Sequence, residues 1–136
     1  RNIVNDFSEI LSETSTVENI NLIFMDLNKR EKIYKYIINS LNVEVTNSLG
    51  NNLEIGRKGC SKGTALENLT ALLNMDMENT MCFGDNENDR DMIIKAGIGV
   101  AMANGEESVK SVADYITKSN NDDGFAEAVY KFAVKR

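Results

Sequence analysis

Between Thr80 and Asp91 the chain reads TMCFGDNENDRD. A short apolar run, Met81-Cys82-Phe83, breaks at Gly84, and four carboxylates follow at once: Asp85, Glu87, Asp89 and Asp91. An apolar strand that ends in glycine and acid suits the carboxyl edge of a parallel sheet, where open α/β folds place their ligands. Carboxylates this close repel one another, so a cation is expected to offset them. Mg²⁺ fits best, because it takes one or two carboxylates, several waters and phosphate oxygens. The plainer alternative is a strand-to-helix loop in which Asn88 or Asp89 caps the next helix. Upstream, Lys62 stands near Gly59 and Gly63, just ahead of a predicted helix. An ammonium group beside the free N–H groups of a helix start is a natural anion site. The alternative for Lys62 is an ordinary surface lysine. A carboxylate-held metal on one side and a fixed lysine on the other are what a metal-using phosphate binder needs. One predicted helix separates Lys62 from Asp85, so the two fall on adjacent strand edges.

The elements that must position these residues follow from the pattern. Apolar spacing predicts a helix over residues 1 to 17, a strand over 19 to 27 with a buried centre at Leu22-Ile23-Phe24, and a helix over 29 to 41 with Ile33, Tyr36, Ile37 and Leu41 inward. Two further strands, 42 to 47 and 53 to 56, flank a turn. The texture changes near Arg57, where RKGCSKG is basic and glycine-rich. From there helices are predicted over 63 to 74, 87 to 96, 106 to 113 and 125 to 133, alternating with strands ending at Phe83 and spanning 98 to 103 and 115 to 117. The first of these helices carries Ala65, Leu66, Leu69, Leu72 and Leu73 on one face. Alternation of this kind implies a parallel sheet with flanking helices and right-handed crossovers.

Composition bounds the chemistry. The 136 residues suit one domain or part of one, and a net charge of −6 argues against nucleic acid or an anionic membrane as partner. There is no histidine, which removes imidazole acid–base catalysis and most zinc sites. Cys60 and Cys82 lack metal-ligand spacing and read as reduced thiols of a cytoplasmic protein. No apolar run approaches the ~20 residues of a membrane span.

Three blocks carry a resemblance: KGCSKGTALENL, then MCFGDNENDRDMIIKAGIGVAMANGEESVKSVADYIT, then SNNDDGFAEAV. In content, order and spacing they closely resemble the C-terminal third of Cof-type phosphatases of the haloacid dehalogenase (HAD) superfamily. The resemblance implies an α/β fold. Residues 57–136 would be the C-terminal half of a Rossmann-like core, preceded at 1–56 by the end of an α/β cap. It implies Mg²⁺-dependent hydrolysis of a small phosphorylated metabolite through an aspartyl-phosphate. Carried over by position, Lys62 matches the lysine that binds the phosphoryl group. Asp85 matches the metal ligand of the GDxxND motif, and Asn88 a substrate-contacting asparagine. Asp89 matches the second motif carboxylate, which supports the metal or pairs with the lysine. The loop from Asn120 to Asp123 resembles the family's loop beside the active site.

The chain departs from the family pattern in one respect. The nucleophile motif DxDx[TV] is absent, and the nearest imitation, Phe24-Met25-Asp26-Leu27-Asn28, lacks the second aspartate. The N-terminal half of the core is therefore expected upstream, and the 136 residues alone are expected to be inactive. The competing reading is a truncated or degenerate module that binds Mg²⁺, phosphate or a partner without catalysis. A receiver-type phosphoacceptor domain fits poorly, because Asp85 follows the lysine-bearing loop rather than preceding one.

Overall fold

The computed structural model describes residues 17–134. The helix expected over residues 1 to 17 lies outside them but for its last residue. Two three-stranded sheets follow one another along the chain.

The first sheet is antiparallel. Strand β1 (Asn19–Ile23) and strand β2 (Val43–Thr46) both pair with β3 (Asn52–Arg57), in the order β1-β3-β2. Helix α1 (Leu27–Ser40) lies between β1 and β2 in sequence. It starts where it does because Asp26 caps it, the carboxylate accepting from the N–H groups of Asn28 at 2.9 Å and Lys29 at 3.3 Å. That gives the isolated Asp26 a structural job. The turn between β2 and β3 is organised by Asn52, which is wholly buried. Its Oδ1 accepts from the N–H of Ser48 at 3.2 Å and of Leu49 at 2.9 Å, and its Nδ2 donates to Asn21 and Glu54.

Two expectations for this region need correction. Strand β1 has no buried centre; its residues alternate between half-buried and exposed, and Ile23 is 67% exposed. On α1 only Ile37 is buried, while Ile33 and Tyr36, and Leu41 just past its end, are exposed. The apolar stripe is there, but only the part over the sheet is covered.

The second sheet is parallel. Its order is β4 (Met81–Gly84), β5 (Ile98–Ala101) and β6 (Tyr115–Ile116), with Cys82 opposite Gly99 and Val100 opposite Tyr115. Helices α2 (Lys62–Leu73), α3 (Arg90–Lys95), α4 (Glu107–Lys110) and α5 (Gly124–Val129) connect and flank it. Cys82, Ile93, Ala101 and Val109 form the core, with Leu66, Met92 and Val112 packed against it. Full burial of a side chain such as Ile93 or Val109 stabilises by about 1.5–3 kcal/mol. Burial pushes the Cys82 thiol pKa up.

Helix α2 also differs from expectation. Leu66 reaches the core, but Leu69, Leu72 and Leu73 are 51%, 79% and 55% exposed. Gly63 and Thr70 are its buried residues instead. The helix turns its small side towards α3, where the carboxylate of Asp91 packs at the place a Cβ on Gly63 would stand. No described helix is long and apolar enough to cross a membrane.

Candidate active site

The carboxyl end of β4 and the start of α2 meet. Ser61 caps α2, its hydroxyl accepting from the N–H of Thr64 at 3.0 Å, and this sets Lys62 at the first helical position. Lys62 reaches Asp89, with which it forms an ion pair, and its Nζ lies 3.4 Å from Oδ1 of Asn88. The structure thus brings Lys62, Asn88 and Asp89 together across the two loops.

Asp89 is the pivot. Its side chain is only 7% exposed, whereas that of Lys62 is 49% exposed. Oδ2 of Asp89 accepts from the backbone N–H groups of Asp85 at 3.0 Å and Asn86 at 3.1 Å. Oδ1 faces the lysine. A buried carboxylate is tolerated because every strong donor in reach is aimed at it. Gly84 permits this packing, since a Cβ there would run into the side chain of Asp89. The aspartate folds under the strand end and fixes the backbone of the residue that follows.

That residue is Asp85. Its Oδ1 accepts from Nδ2 of Asn86 at 2.8 Å, and its carbonyl accepts from the N–H of Glu106 at 2.8 Å. Among the described residues, Oδ2 of Asp85 has no partner. Asp85 is half-buried at the sheet edge, within one residue of the Asp89 cluster. It therefore offers a carboxylate oxygen to a cation, while both oxygens of Asp89 are engaged within the protein. Among the described residues no three histidine, cysteine, aspartate or glutamate side chains converge as a metal-ligand cluster. One free carboxylate oxygen still fits Mg²⁺, which keeps several waters and takes the rest of its shell from a substrate phosphate.

Asp89 stands at the N-cap position of α3, as one alternative had it, but its side chain makes no capping hydrogen bond to that helix. A 3₁₀ turn (Glu87–Asp89) comes first, and Asn86 caps it in a reciprocal capping box with Asp89. The Asn-x-x-Asp spacing was the available signal for Asn86. Ser61 is a second residue that residue type alone did not single out. Besides capping α2 it hydrogen-bonds the carboxylate of Asp91 and ties the lysine loop to α3. The Asn120–Asp123 loop hydrogen-bonds to Ser119 and to the side chain of Asn104. Among the described residues no hydrogen bond joins it to Lys62, Asp85 or Asp89.

Beside Asn88 a cavity of about 640 Å³ opens between the two sheets' helices. Arg30 and Tyr34 of α1 and Glu44 of β2 form one wall, and Asn88, Arg90 and Asp91 another. Its size suits a small metabolite.

A family model described as haloacid dehalogenase-like hydrolase matches residues 1–129. The chain is 42% identical over 100 residues to 5-amino-6-(5-phospho-D-ribitylamino)uracil phosphatase YcsE of Bacillus subtilis, an overlap of 74% of this chain and 40% of that protein. It is 31% identical over 134 residues to pyridoxal phosphate phosphatase YbhA of Escherichia coli, 94% of this chain and 49% of that protein. A solved haloacid dehalogenase-like hydrolase from B. subtilis superposes with a TM-score of 0.86 at 32% identity, covering 96% of this chain and 46% of the other. The chain spans less than half the length of these proteins.

Proposed function

The chain belongs to the haloacid dehalogenase-like hydrolase family, and from that premise we propose that it is the C-terminal part of a Mg²⁺-dependent phosphatase of small phosphate esters. The observation that carries this is the Lys62–Asp89 pair, anchored on the backbone of Asp85, at the carboxyl edge of a parallel sheet. A half-exposed ammonium on a buried, fully bonded carboxylate is held in place but still open to a ligand. Phosphoryl transfer gains chiefly from such positioned charge.

In this reading Lys62 binds the phosphoryl oxygens and offsets their charge. Asn88, beside it, orients the ester. Asp85 holds the metal and Asp89 supports it by fixing both Asp85 and Lys62. Mg²⁺ when bound would neutralise phosphate charge. The nucleophile is an aspartate outside these residues, in the N-terminal half of the core. Strand β4 is the edge of its sheet among the described residues. A parallel strand added there would end beside Asp85. The relatives named above are phosphatases of longer chain, which agrees with residues 1–56 belonging to the end of a cap and 57–136 to half of the core. A small phosphorylated metabolite as partner and a cytoplasmic location, with both cysteines free, complete the proposal.

The test is hydrolysis of generic phosphate monoesters by the intact protein. Activity should require Mg²⁺, vanish with chelator, and fall about 100-fold or more in kcat/KM for Lys62→Ala. The 136 residues alone should turn over little or nothing. Mg²⁺-dependent turnover by this chain alone, abolished by Lys62→Ala, would overturn the placement of the nucleophile. The absent DxDx[TV] motif favours a second reading, a binding module without catalysis. Phosphate binding by an intact protein that hydrolyses no ester would establish it.

A further inference from the structure

The cavity beside Asn88 is lined by two arginines, Arg30 and Arg90, that form no ion pair among the described residues. We propose that Arg30 and Arg90 read a second anionic group, carboxylate or phosphate, on the part of the substrate that is not transferred. This rests on the phosphatase reading above.

Four carboxylates share the cavity wall with the two arginines: Glu31, Glu44, Glu87 and Asp91. Among the described residues no ion pair joins either guanidinium to any of them. Three of the four are matched by other groups. Glu31 pairs with Lys35 at 3.2 Å, and Glu44 lies 3.9 Å from Lys58 and accepts from the N–H of Gly59 at 3.3 Å. Asp91 pairs with Lys95 at 3.2 Å and accepts from Ser61. Glu87 stays exposed on the 3₁₀ turn.

The arginines are placed but unspent. Nε of Arg30 donates at 3.0 Å to the backbone carbonyl of Asn52, a wholly buried residue. Its terminal amino groups have no partner among the described residues. Arg90 opens α3, is half-buried, and makes no side-chain hydrogen bond among the described residues. Half-buried guanidinium groups with terminal N–H donors to spare favour an anion, and their planar fork matches carboxylate or phosphate oxygens. Asn88 lines the same cavity and lies 3.4 Å from the Lys62 ammonium. One molecule can therefore present its ester phosphate to Lys62 and its second acid to the arginines.

The test uses the intact protein and two matched ester pairs. Glycerol 3-phosphate and 3-phosphoglycerate differ in one hydroxymethyl against carboxylate. 3-Hydroxypropyl phosphate and propane-1,3-diol bisphosphate differ in a second phosphate. The acid-bearing member of at least one pair should have the higher kcat/KM by about tenfold or more, and the pair that shows it identifies the acid. That ratio should fall towards unity in Arg30→Ala and Arg90→Ala, and Arg90→Lys should keep only part of it, since the charge remains and the fork is lost. A ratio near unity in the native protein, or one unmoved in the double variant, sinks this inference and leaves the phosphatase reading standing. If none of the four esters is hydrolysed, the phosphatase reading falls and calorimetric titration decides. Tighter binding of an acid-bearing ester than of its neutral partner, lost in Arg90→Ala, upholds the arginine site; equal affinity, or none, overturns it.

Discussion

Each of the two sheets is tied to one buried polar side chain that gathers backbone amides. In the antiparallel sheet it is Asn52, which takes the N–H groups of Ser48 and Leu49. In the parallel sheet it is Asp89, which takes those of Asp85 and Asn86. The geometry is the same and the charge differs. A neutral amide satisfies a turn and stops there, because its own N–H groups find oxygens at Asn21 and Glu54. A carboxylate in the same role leaves a charge that needs an opposite one, and so it draws Lys62 to the sheet edge. The first device builds a turn; the second builds a turn and holds a cation at the carboxyl edge of the parallel sheet. The difference separates a region that shapes the cavity from one suited to the chemistry.

Removing the charged hub should cost most. Asp89→Ala leaves two half-buried amides unsatisfied and Lys62 without its carboxylate, and we expect a loss of about 2–4 kcal/mol in urea unfolding of the intact protein, with hydrolysis all but abolished. Asp89→Asn keeps the shape and one acceptor, so it should recover much of the stability and little of the activity. An Asp89→Asn protein with native turnover would break the contrast between the hubs, because it would make the charge irrelevant. Asn52→Ala should cost less, about 1–3 kcal/mol, since the unsatisfied groups are neutral, and the loss should register in unfolding rather than in metal dependence.

A third, weaker pair sharpens the scale. Glu127 accepts from Lys118, which pairs with it at 2.9 Å, and from the hydroxyl of Tyr115 at 3.0 Å. The Lys118 hydrogen bond first, and that of Tyr115 second, hold the Glu127 carboxyl below the ordinary carboxylate range. A depressed folded pKa means stability that is present above the unfolded value and is lost as pH falls through the folded one. Glu127→Gln should therefore lower the melting temperature slightly at neutral pH, leave it nearly unchanged once pH is below the folded pKa, and so flatten the acid limb of the profile. The effect is small because the Glu127 pair is screened by solvent. An acid limb as steep in the variant as in the native protein would remove Glu127 from it.

The smallest effect is a labelling one. Cys60 is exposed beside the Lys62 loop and Cys82 is buried in the parallel-sheet core, where burial raises its thiol pKa. A maleimide should modify Cys60 promptly and Cys82 only on unfolding. Rapid double labelling of the folded protein would show that the parallel sheet opens more readily than its packing implies.

Most of the parallel unit was legible in the sequence because its strands are continuous apolar runs and its helices are punctuated by glycine and capping residues. Met81–Gly84 and Ile98–Ala101 became β4 and β5 for that reason. The faces were harder to read. Leu69, Leu72 and Leu73 share a helical face, yet the side turned inward carries Gly63, Leu66 and Thr70, because close packing of Asp91 on α3 against Gly63 selects for a small group and not for an apolar one. The helix expected over 106 to 113 shortened to Glu107–Lys110, with the N–H of Glu106 going to the carbonyl of Asp85. Motif spacing put Lys62, Asn88 and Asp89 in one neighbourhood. It could not show that both oxygens of Asp89 are taken, nor that Asn86 caps the turn, since those depend on which way a backbone faces.

The strand pairing also sets an order in time. In the parallel sheet the partners are near in sequence, Met81 with Ile98 and Val100 with Tyr115. Strand β1 instead pairs with β3 across α1 and the β2 hairpin, Asn19 opposite Gly56. Closing the longer loop costs more chain entropy before any contact rewards it. Strand β1 should thus join last during folding and open first under native conditions. Amide exchange should be quickest along β1 and slowest along β5, so that in each opening event the antiparallel sheet loosens at β1 while Asp89 still holds Lys62.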